Sequence, residues 1–329
     1  TRGADAPATP VAIPAPEGLA DWTRALDAPP PGAARFAPRP MPRPPVDRRP
    51  RSLYVTRIER WVRDPYAIYA QWVLGLNIMD RPGASAEAMA RGNAVHKAIE
   101  RMTLMWPHVL PDDCEAQIEQ LLIEELTAHG FEDAAMARET PLARNCARWL
   151  AGFEAERRAR GVNLLIEQQG TVTFDAPAGP FTMKAYADRI EVGASGAAIM
   201  DFKTGGVPSG KQVKAGFAPQ LTLTAAILAD GGFADTNGPV PADELTYVRV
   251  VGRKKAGEVA VRAAGPEAAA LGEAALEGLK KRVARFDHPD TPYVSWAAPQ
   301  FMGNYGGNYD HLARVWEWHV VGGEEGDSE

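Results

Sequence analysis

Hydrophobic residues recur every three to four positions in the first half of this chain, which is the spacing of amphipathic helices. The pattern predicts helices over residues 66–76, 85–105, 113–129 and 141–160. Asp64 before a proline provides a start for the first helix, and Gly130 and Gly161 end the last two. Upstream, Thr56 and Glu59 have the spacing of a capping box, which predicts one more helix start.

From residue 162 the apolar positions alternate with polar ones, as they do in half-buried strands. Strands are predicted over residues 162–168, 171–174, 181–192, 197–202 and 244–251, with helices over 218–229 and 266–286. Helices followed by a hairpin-rich sheet, a helix, a strand and a helix are typical of an α/β sandwich. We therefore expect a mixed central β-sheet flanked by helices, with an N-terminal helical insertion.

The uneven proline content sets the first 50 residues apart. Residues 1–50 hold 13 of the 28 prolines together with a dense set of arginines. Such a stretch buries too little apolar surface to fold and is expected to be an extended, polyproline-like linker with solvated arginines. The absence of an initiator methionine suggests that the linker leads out of an upstream region. The remainder is predicted to be one domain over residues 51–322, followed by a loose acidic tail over 323–329.

Composition excludes several classes of protein. With 45% hydrophobic and 24% charged residues, the 329-residue chain can build a core, and no window approaches about 18 consecutive apolar residues. Cys114 and Cys146 are too few for a disulfide framework or a four-cysteine metal site, which favours a reduced, cytoplasmic setting. The net charge of −6 argues against a freely diffusing nucleic-acid binder but is compatible with a local basic groove.

One hairpin carries the candidate chemistry. Its turn, Gly193-Ala-Ser-Gly196, is centred between residues 194 and 195, which places Asp188 opposite Asp201. Their Cβ atoms are then about 5 Å apart, and two carboxylates at that separation repel by about 3 kcal/mol at an effective dielectric near 20. A divalent cation between them reverses the sign of this interaction, and hard oxygen ligands suit Mg²⁺ or Mn²⁺.

Lys203 lies two residues beyond Asp201, so both side chains point to the same face of the strand. Two acids, a metal ion and a lysine suit phosphoryl transfer, in which the lysine orients the nucleophile or stabilises the transition state. The alternative is an exposed hairpin face with one Asp–Lys salt bridge.

Two further polar residues have ordinary explanations when taken alone. His96 in the middle of a helix is usually a surface or packing residue, and Gln220 is usually a polar residue at a helix terminus. The segment 205–211 is close to a phosphate-binding P-loop, but Gln212 stands where that loop needs a hydroxyl, so we expect no ATP site. Lys211 and Lys214 in this segment are candidate contacts to nucleic-acid phosphates.

Taken together, these residues resemble the RecB-like branch of the PD-(D/E)XK nucleases. The resemblance rests on His96 in a helix, Asp188 in ADRIE, Asp201-Phe202-Lys203 in the next strand and Gln220 in the following helix. The flanking segments 56–69 and 309–318 are similar to the C-terminal nuclease domains of the AddB family, most of all the α-proteobacterial type. The resemblance runs from about residue 38 to 319.

The resemblance implies a role for each matching residue. His96, Asp188 and Asp201 would be metal ligands, with the backbone carbonyl of Phe202 as a further one. Lys203 would be the catalytic lysine, and Gln220 would position it or the attacking water.

The resemblance also implies a Mg²⁺-dependent exonuclease that pairs with an AddA-type helicase–nuclease subunit. Such complexes resect double-strand breaks for recombinational repair and pause at Chi sequences. This domain would cut the single strand of DNA that ends 5′ at the break, beside a helicase-like region upstream in the same chain. It would act in the bacterial cytoplasm at the nucleoid. Two alternatives stay open, a catalytically silent module that guides DNA or scaffolds its partner, and a stand-alone RecB-like exonuclease.

The chain departs from the family pattern at two places. Many AddB proteins hold an iron–sulfur cluster on four cysteines, which this chain lacks, so we expect no cluster. The aromatic region 287–309, with Trp296, Phe301 and Tyr305, is expected to pack in its place. Thr224 stands where RecB-like proteins often have a tyrosine one turn after the glutamine.

Overall fold

The computed structural model describes residues 18–28, 38–78, 87–302 and 307–318. The helices in these ranges are α1 (Leu19–Asp27), α2 (Val55–Arg63), α3 (Pro65–Ile68), α4 (Glu87–Met105), α5 (Cys114–Ala128), α6 (Asp133–Arg158), α7 (Gly210–Lys214), α8 (Gln220–Ala229), α9 (Pro266–Phe286) and α10 (Val315–Trp318). The strands are β1 (Ser52–Tyr54), β2 (Asn163–Phe174), β3 (Phe181–Val192), β4 (Ala197–Lys203), β5 (Ala242–Val250) and β6 (Gly257–Ala264). None of the helices in the described ranges is long and apolar enough to cross a membrane.

The strands form one mixed sheet, which confirms the predicted α/β architecture with its central sheet and helical insertion. β3 pairs with antiparallel β2 along its whole length on one edge. On the other edge, its start pairs with parallel β1 and its end with antiparallel β4. β5 then pairs in parallel with β4, and β6 is antiparallel to β5. On this edge, between β1 and β4, residues 185–188 of β3 pair with no strand among the described residues, and Asp188 lies at this opening.

Helices cover both faces of the sheet. On one face, α2, α8 and α9 pack on a core that includes Trp61, Phe181 and Leu245. On the other face, the insertion helices α4, α5 and α6 pack against Met200 and Phe202 of β4. Asp201 lies between these two apolar residues in β4, so its carboxylate points to the opposite face of the sheet, toward α8.

The aromatic C-terminal region packs on α3. Trp296 is 3% exposed and contacts a cluster that includes Tyr66 and Tyr309, with Phe301 at its margin. This confirms the packing expected of Trp296 and Phe301, whereas Tyr305 lies outside the described residues.

Several predicted boundaries were wrong because tertiary contacts override local signals. The helix predicted at 141–160 begins at Asp133, so Pro141 lies inside α6. The turn before this proline is held by the buried Glu139, which is ion-paired to Arg91 of α4. The two strands predicted at 162–168 and 171–174 are the single strand β2. The short elements β1, β6 and α7 were not predicted.

The capping box predicted at Thr56 is also wrong. Helix α2 follows β1 directly, so its N-cap is Tyr54 and Thr56 lies inside the first turn, with no side-chain cap at the terminus. Glu59 is therefore free of a capping role and is ion-paired to Arg63 at 2.8 Å.

Part of the predicted linker packs on the domain. The side chain of Arg49 donates hydrogen bonds to the carbonyls of Phe286 at 2.5 Å and His288 at 2.9 Å, and Arg49 is 3% exposed. The expectation that the arginines of this segment are solvated is therefore wrong for Arg49. The cause is the end of α9, where the last carbonyls have no partner inside the helix. Helix α1 has no buried residue, and the predicted tail over 323–329 lies outside the described residues.

Candidate active site

The site lies where β3 and β4 separate. Their ladder has the predicted register from Val192–Ala197 to Arg189–Met200, and it ends there. At the next position Oδ2 of Asp188 accepts a hydrogen bond from the backbone N–H of Phe202 at 2.8 Å. A side chain thus replaces the backbone acceptor at this point, and Asp188 lies inside the opening between the strands.

Asp201 is the centre of a group of polar contacts. The Nζ of Lys203 lies 2.5 Å from Oδ2 of Asp201, which agrees with the predicted common face of the strand. The amide Nε2 of Gln220, the first residue of α8, donates a hydrogen bond to Oδ1 at 2.5 Å. Since Asp201 is only 4% exposed, these two contacts replace the water that a carboxylate would otherwise bind.

His96 approaches from the insertion. Its Nδ1 lies 3.6 Å from Oδ2 of Asp188, and its ring also hydrogen-bonds the backbone of Phe202. Helices α4 and α8 and strands β3 and β4 therefore bring together six of the predicted positions: His96, Asp188, Asp201, Phe202, Lys203 and Gln220.

The two lysines proposed as phosphate contacts lie elsewhere. Lys214 is in α7, with its Nζ 2.5 Å from Oε1 of Glu267, and Lys211 is exposed on the same short helix. Within the described ranges, neither lysine forms an ion pair with Asp188 or Asp201. The capping box of α7, made by Ser209 and Gln212, accounts for the polar residues of the P-loop-like segment.

The two acids are held in an environment that opposes their charge. Burial raises the pKa of Asp188 to about 6, although the hydrogen bond from Phe202 and the charge of Lys203 lower it. Burial and, second, the charge of Asp188 raise the pKa of Asp201 to about 6, although Lys203 and His96 lower it. The site therefore has a deficit of positive charge at neutral pH.

The pKa values of the two basic side chains, Lys203 and His96, shift in opposite directions. Burial lowers the pKa of Lys203, but the carboxylates of Asp201 and Asp188 outweigh it and leave the pKa raised. Burial lowers the pKa of His96, so its imidazole is neutral at pH 7, which is the form that binds metals.

A divalent cation suits these donors by their chemistry. Carboxylate and carbonyl oxygens are hard ligands, a neutral imidazole is a common nitrogen ligand, and the charge deficit favours a cation. In the described part of the chain, no three His, Cys, Asp or Glu side chains are already grouped closely enough to hold a metal ion. Instead Lys203 and Gln220 occupy the two oxygens of Asp201.

Sequence comparison identifies the family to which this arrangement belongs. The sequence profile of the PD-(D/E)XK nuclease superfamily matches residues 52–295, which include both strands of the hairpin and all six positions of the site. The chain belongs to the PD-(D/E)XK nuclease superfamily.

Individual relatives of this nuclease-superfamily chain are distant. An uncharacterized protein of Rickettsia conorii is 26% identical over 57% of this chain and 23% of its own length. One of Rickettsia typhi is 28% identical over 56% of this chain and 22% of its own length. The chain thus spans about a quarter of the length of these relatives. The crystal structure of SSO0001 aligns with 70% of this chain and 77% of its own, with 10% identity and a TM-score of 0.28.

Glu59 is a residue of this PD-(D/E)XK site that the sequence did not reveal. Burial raises its pKa, while the charges of Arg63 and Lys203 lower it and that of Asp201 raises it again, so Glu59 interacts electrostatically with Lys203 and Asp201. The direct passage from β1 into α2 brings it there. In the sequence, the one indication of this role was a glutamate next to the apolar Ile58, which is buried in the structure. The capping-box hypothesis had explained that glutamate as a helix cap instead.

Glu167 of β2 lies across from Asp188 on the other edge of β3. It falls between the pairs Ile166–Arg189 and Gln168–Ala187, and its φ of 51° is in the left-handed region. Its charge contributes to the raised pKa of Asp188. A non-glycine residue in this conformation costs about 1–2 kcal/mol, so the strand is strained beside the acid pair.

The raised pKa values predict an unusual dependence of stability on pH. Between about pH 4 and pH 6, folded Asp188 and Asp201 retain protons that the unfolded chain has released, so the free energy of unfolding falls as pH rises. One independent carboxyl shifted by about two pKa units contributes about 3 kcal/mol. We expect denaturation in EDTA to show this loss relative to the Asp188→Asn/Asp201→Asn variant. Parallel stability curves for the two proteins would contradict the assigned pKa directions.

Proposed function

We propose that this domain is a Mg²⁺-dependent deoxyribonuclease that hydrolyses phosphodiester bonds of single-stranded DNA. The observation that carries the proposal is the pair formed by the buried Asp201 and the partly buried Asp188, with Lys203 on Asp201. A buried pair of like charges costs stability, and a protein keeps such a pair where function requires it.

The chain offers a definite set of ligands. His96, Asp188, Asp201 and the carbonyl of Phe202 would hold Mg²⁺, with Mn²⁺ as a substitute. When bound, the ion supplies activation of water and neutralisation of charge on the phosphate. Lys203 and Gln220 each contact one oxygen of Asp201, so they would orient this carboxylate toward the ion.

The other side chains prepare the site for substrate. Lys203, kept protonated by the surrounding carboxylates, is placed to stabilise the negative charge that develops on the phosphate or to orient the nucleophile. Gln220 fixes the rotation of the Asp201 carboxylate, and the neutral His96 leaves its ring nitrogen available as a ligand.

The wider role we propose is that of an AddB-type nuclease domain in an AddAB-type helicase–nuclease. The similarity of its flanking segments to AddB supports this role, as does the fact that its relatives are about four times longer than the matched region. In this proposal an AddA-type subunit delivers the strand that ends 5′ at a double-strand break. The complex would work at the nucleoid in the bacterial cytoplasm.

Cleavage of end-labelled single-stranded DNA tests the activity. We expect shortening of the strand with Mg²⁺ and none with EDTA, and parallel reactions labelled at the 5′ or 3′ end give the polarity. The same assay with the AddA-type complex tests whether the domain needs its motor. Failure to cut in both settings would identify a silent module that guides DNA, and cutting in EDTA would refute the metal site.

A further inference from the structure

The solvent side of α2 presents three arginines at three-residue intervals, each stacked on an aromatic ring. Arg57 lies over Trp72 at 5.5 Å, Arg60 over Trp296 at 5.8 Å and Arg63 over Phe301 at 4.5 Å. Residues spaced by three share one side of a helix, and this row spans about 9 Å along the axis. The rings come from α3 and its extension and from the C-terminal region, so distant segments hold the row in place.

The row borders an open groove that we call the α2 groove, of about 250 Å³, lined by the three arginines together with Glu59, Gln71 and Tyr309. Glu59 connects this groove to the acid pair. The charge of Lys203 lowers its pKa and that of Asp201 raises it, so Glu59 lines the groove and also interacts electrostatically with the site. Glu59 is therefore common to the groove and the site.

Two of the three guanidinium groups are available to a ligand. Arg63 is engaged, because it is ion-paired to Glu59 at 2.8 Å and its Nε donates to the carbonyl of Phe217 at 2.8 Å. Arg57 and Arg60 form no ion pair or hydrogen bond with any described residue, although both are only partly exposed.

The aromatic rings hold the guanidinium groups of Arg57 and Arg60 in a position that favours contact with anions. A guanidinium held over a ring loses part of its rotational freedom, while its N–H groups can still donate to a ligand. In a chain with a net charge of −6, two cations without an ion pair to a described residue give this groove a local positive charge.

We propose that the α2 groove binds the phosphate backbone of a single DNA strand and guides it to Lys203, an inference that rests on the proposed nuclease function. Arginine pairs with phosphate through two parallel hydrogen bonds, which a lysine cannot form. Cations interleaved with aromatic side chains are typical of sites for single strands. Arg57 and Arg60 contact phosphates, while Arg63 orients Glu59 toward the catalytic lysine.

Equilibrium binding without cleavage tests the groove. The fluorescence anisotropy of a labelled oligothymidylate is measured in EDTA at several salt concentrations. For Arg57→Ala/Arg60→Ala we expect affinity to fall by about tenfold or more, and the slope of log K against log salt to decrease by about 1.4, or 0.7 for each lost phosphate contact. The matched control is Arg144→Ala/Arg148→Ala on α6, two arginines that are 57% and 63% exposed and paired to Glu119 and Glu115.

The possible results separate the groove from the nuclease. Affinity within twofold of the wild-type value with an unchanged salt slope would overturn the groove, even if the protein cuts DNA. Arginine-dependent binding by a protein that never cuts would refute the nuclease function and leave the groove standing.

A measurement on the wild-type chain covers the case in which the alanine variant does not fold. An oligonucleotide with 5-iodouracil is photo-crosslinked to the protein, and the attached peptide is identified by mass spectrometry. We expect attachment in the peptide that contains α2 and Trp72, and attachment confined to other segments would overturn the proposal. The Arg57→Lys/Arg60→Lys variant retains the charge and should bind with intermediate affinity.

Discussion

Replacing Lys203 with alanine is expected to abolish cleavage of single-stranded DNA while leaving binding in EDTA close to the wild-type level. The ammonium group lies 2.5 Å from Asp201 and carries a raised pKa, so it is a protonated side chain held at the acid pair of the proposed site. Loss of such a group lowers the rate by about 10³-fold or more, or about 4 kcal/mol in the activation barrier. Single-turnover cleavage with Mg²⁺ measures this directly.

Two companion variants strengthen the test. Asp201→Asn retains the size of the side chain and removes the charge, so it should also cut at least about 10³-fold more slowly. Lys280→Ala, at an exposed lysine of α9 paired only to Glu277, should cut like the wild type. Normal cleavage by Lys203→Ala would show that the chemistry lies elsewhere. An equal loss in Lys280→Ala would point to a general effect of charge.

Glu154→Ala is expected to destabilise the domain by about 3–5 kcal/mol, because it leaves a buried arginine without one of its partners. Glu154 and Arg189 are both fully buried, and Nη1 of Arg189 lies 2.7 Å from Oε1 of Glu154. Glu154 also pairs with Arg158 one turn later. The remaining partner of Arg189 is Glu191, at 2.6 Å, which cannot replace the lost contact. Thermal or chemical unfolding should show a loss on the order of 10 °C.

Glu156→Ala is the matched control for this prediction. Glu156 is two residues further along α6, is 74% exposed and, among the described residues, pairs only with Arg160, so its removal should change stability by less than about 0.5 kcal/mol. Equal stability of the two variants would show that the buried pair contributes nothing to holding α6 on β3. Since Arg189 follows Asp188 directly, we also expect Glu154→Ala to reduce cleavage more than Glu156→Ala.

The sequence by itself determined the parts of this protein that follow from local spacing. A turn centred between residues 194 and 195 sets the register that runs to Arg189–Met200 and so brings Asp188 and Asp201 to the end of the ladder, and the two-residue period of a strand places Lys203 beside Asp201. The exact bounds of β3 and α9 follow in the same way from the apolar pattern and its flanking turns. These inferences hold because a hairpin or a helix is decided by residues close together in the chain.

Only the tertiary structure decided which residues from other elements come together at that hairpin. His96 and Gln220 each had an ordinary local explanation, and packing of α4 and α8 on opposite faces of the sheet brings them to the acids. Glu59 and the arginines of α2 reach the site because β1 inserts beside β3, and α2 starts where β1 ends. Such contacts join segments far apart in the sequence, and their free energy comes from burial and charge pairing that no local window of residues contains.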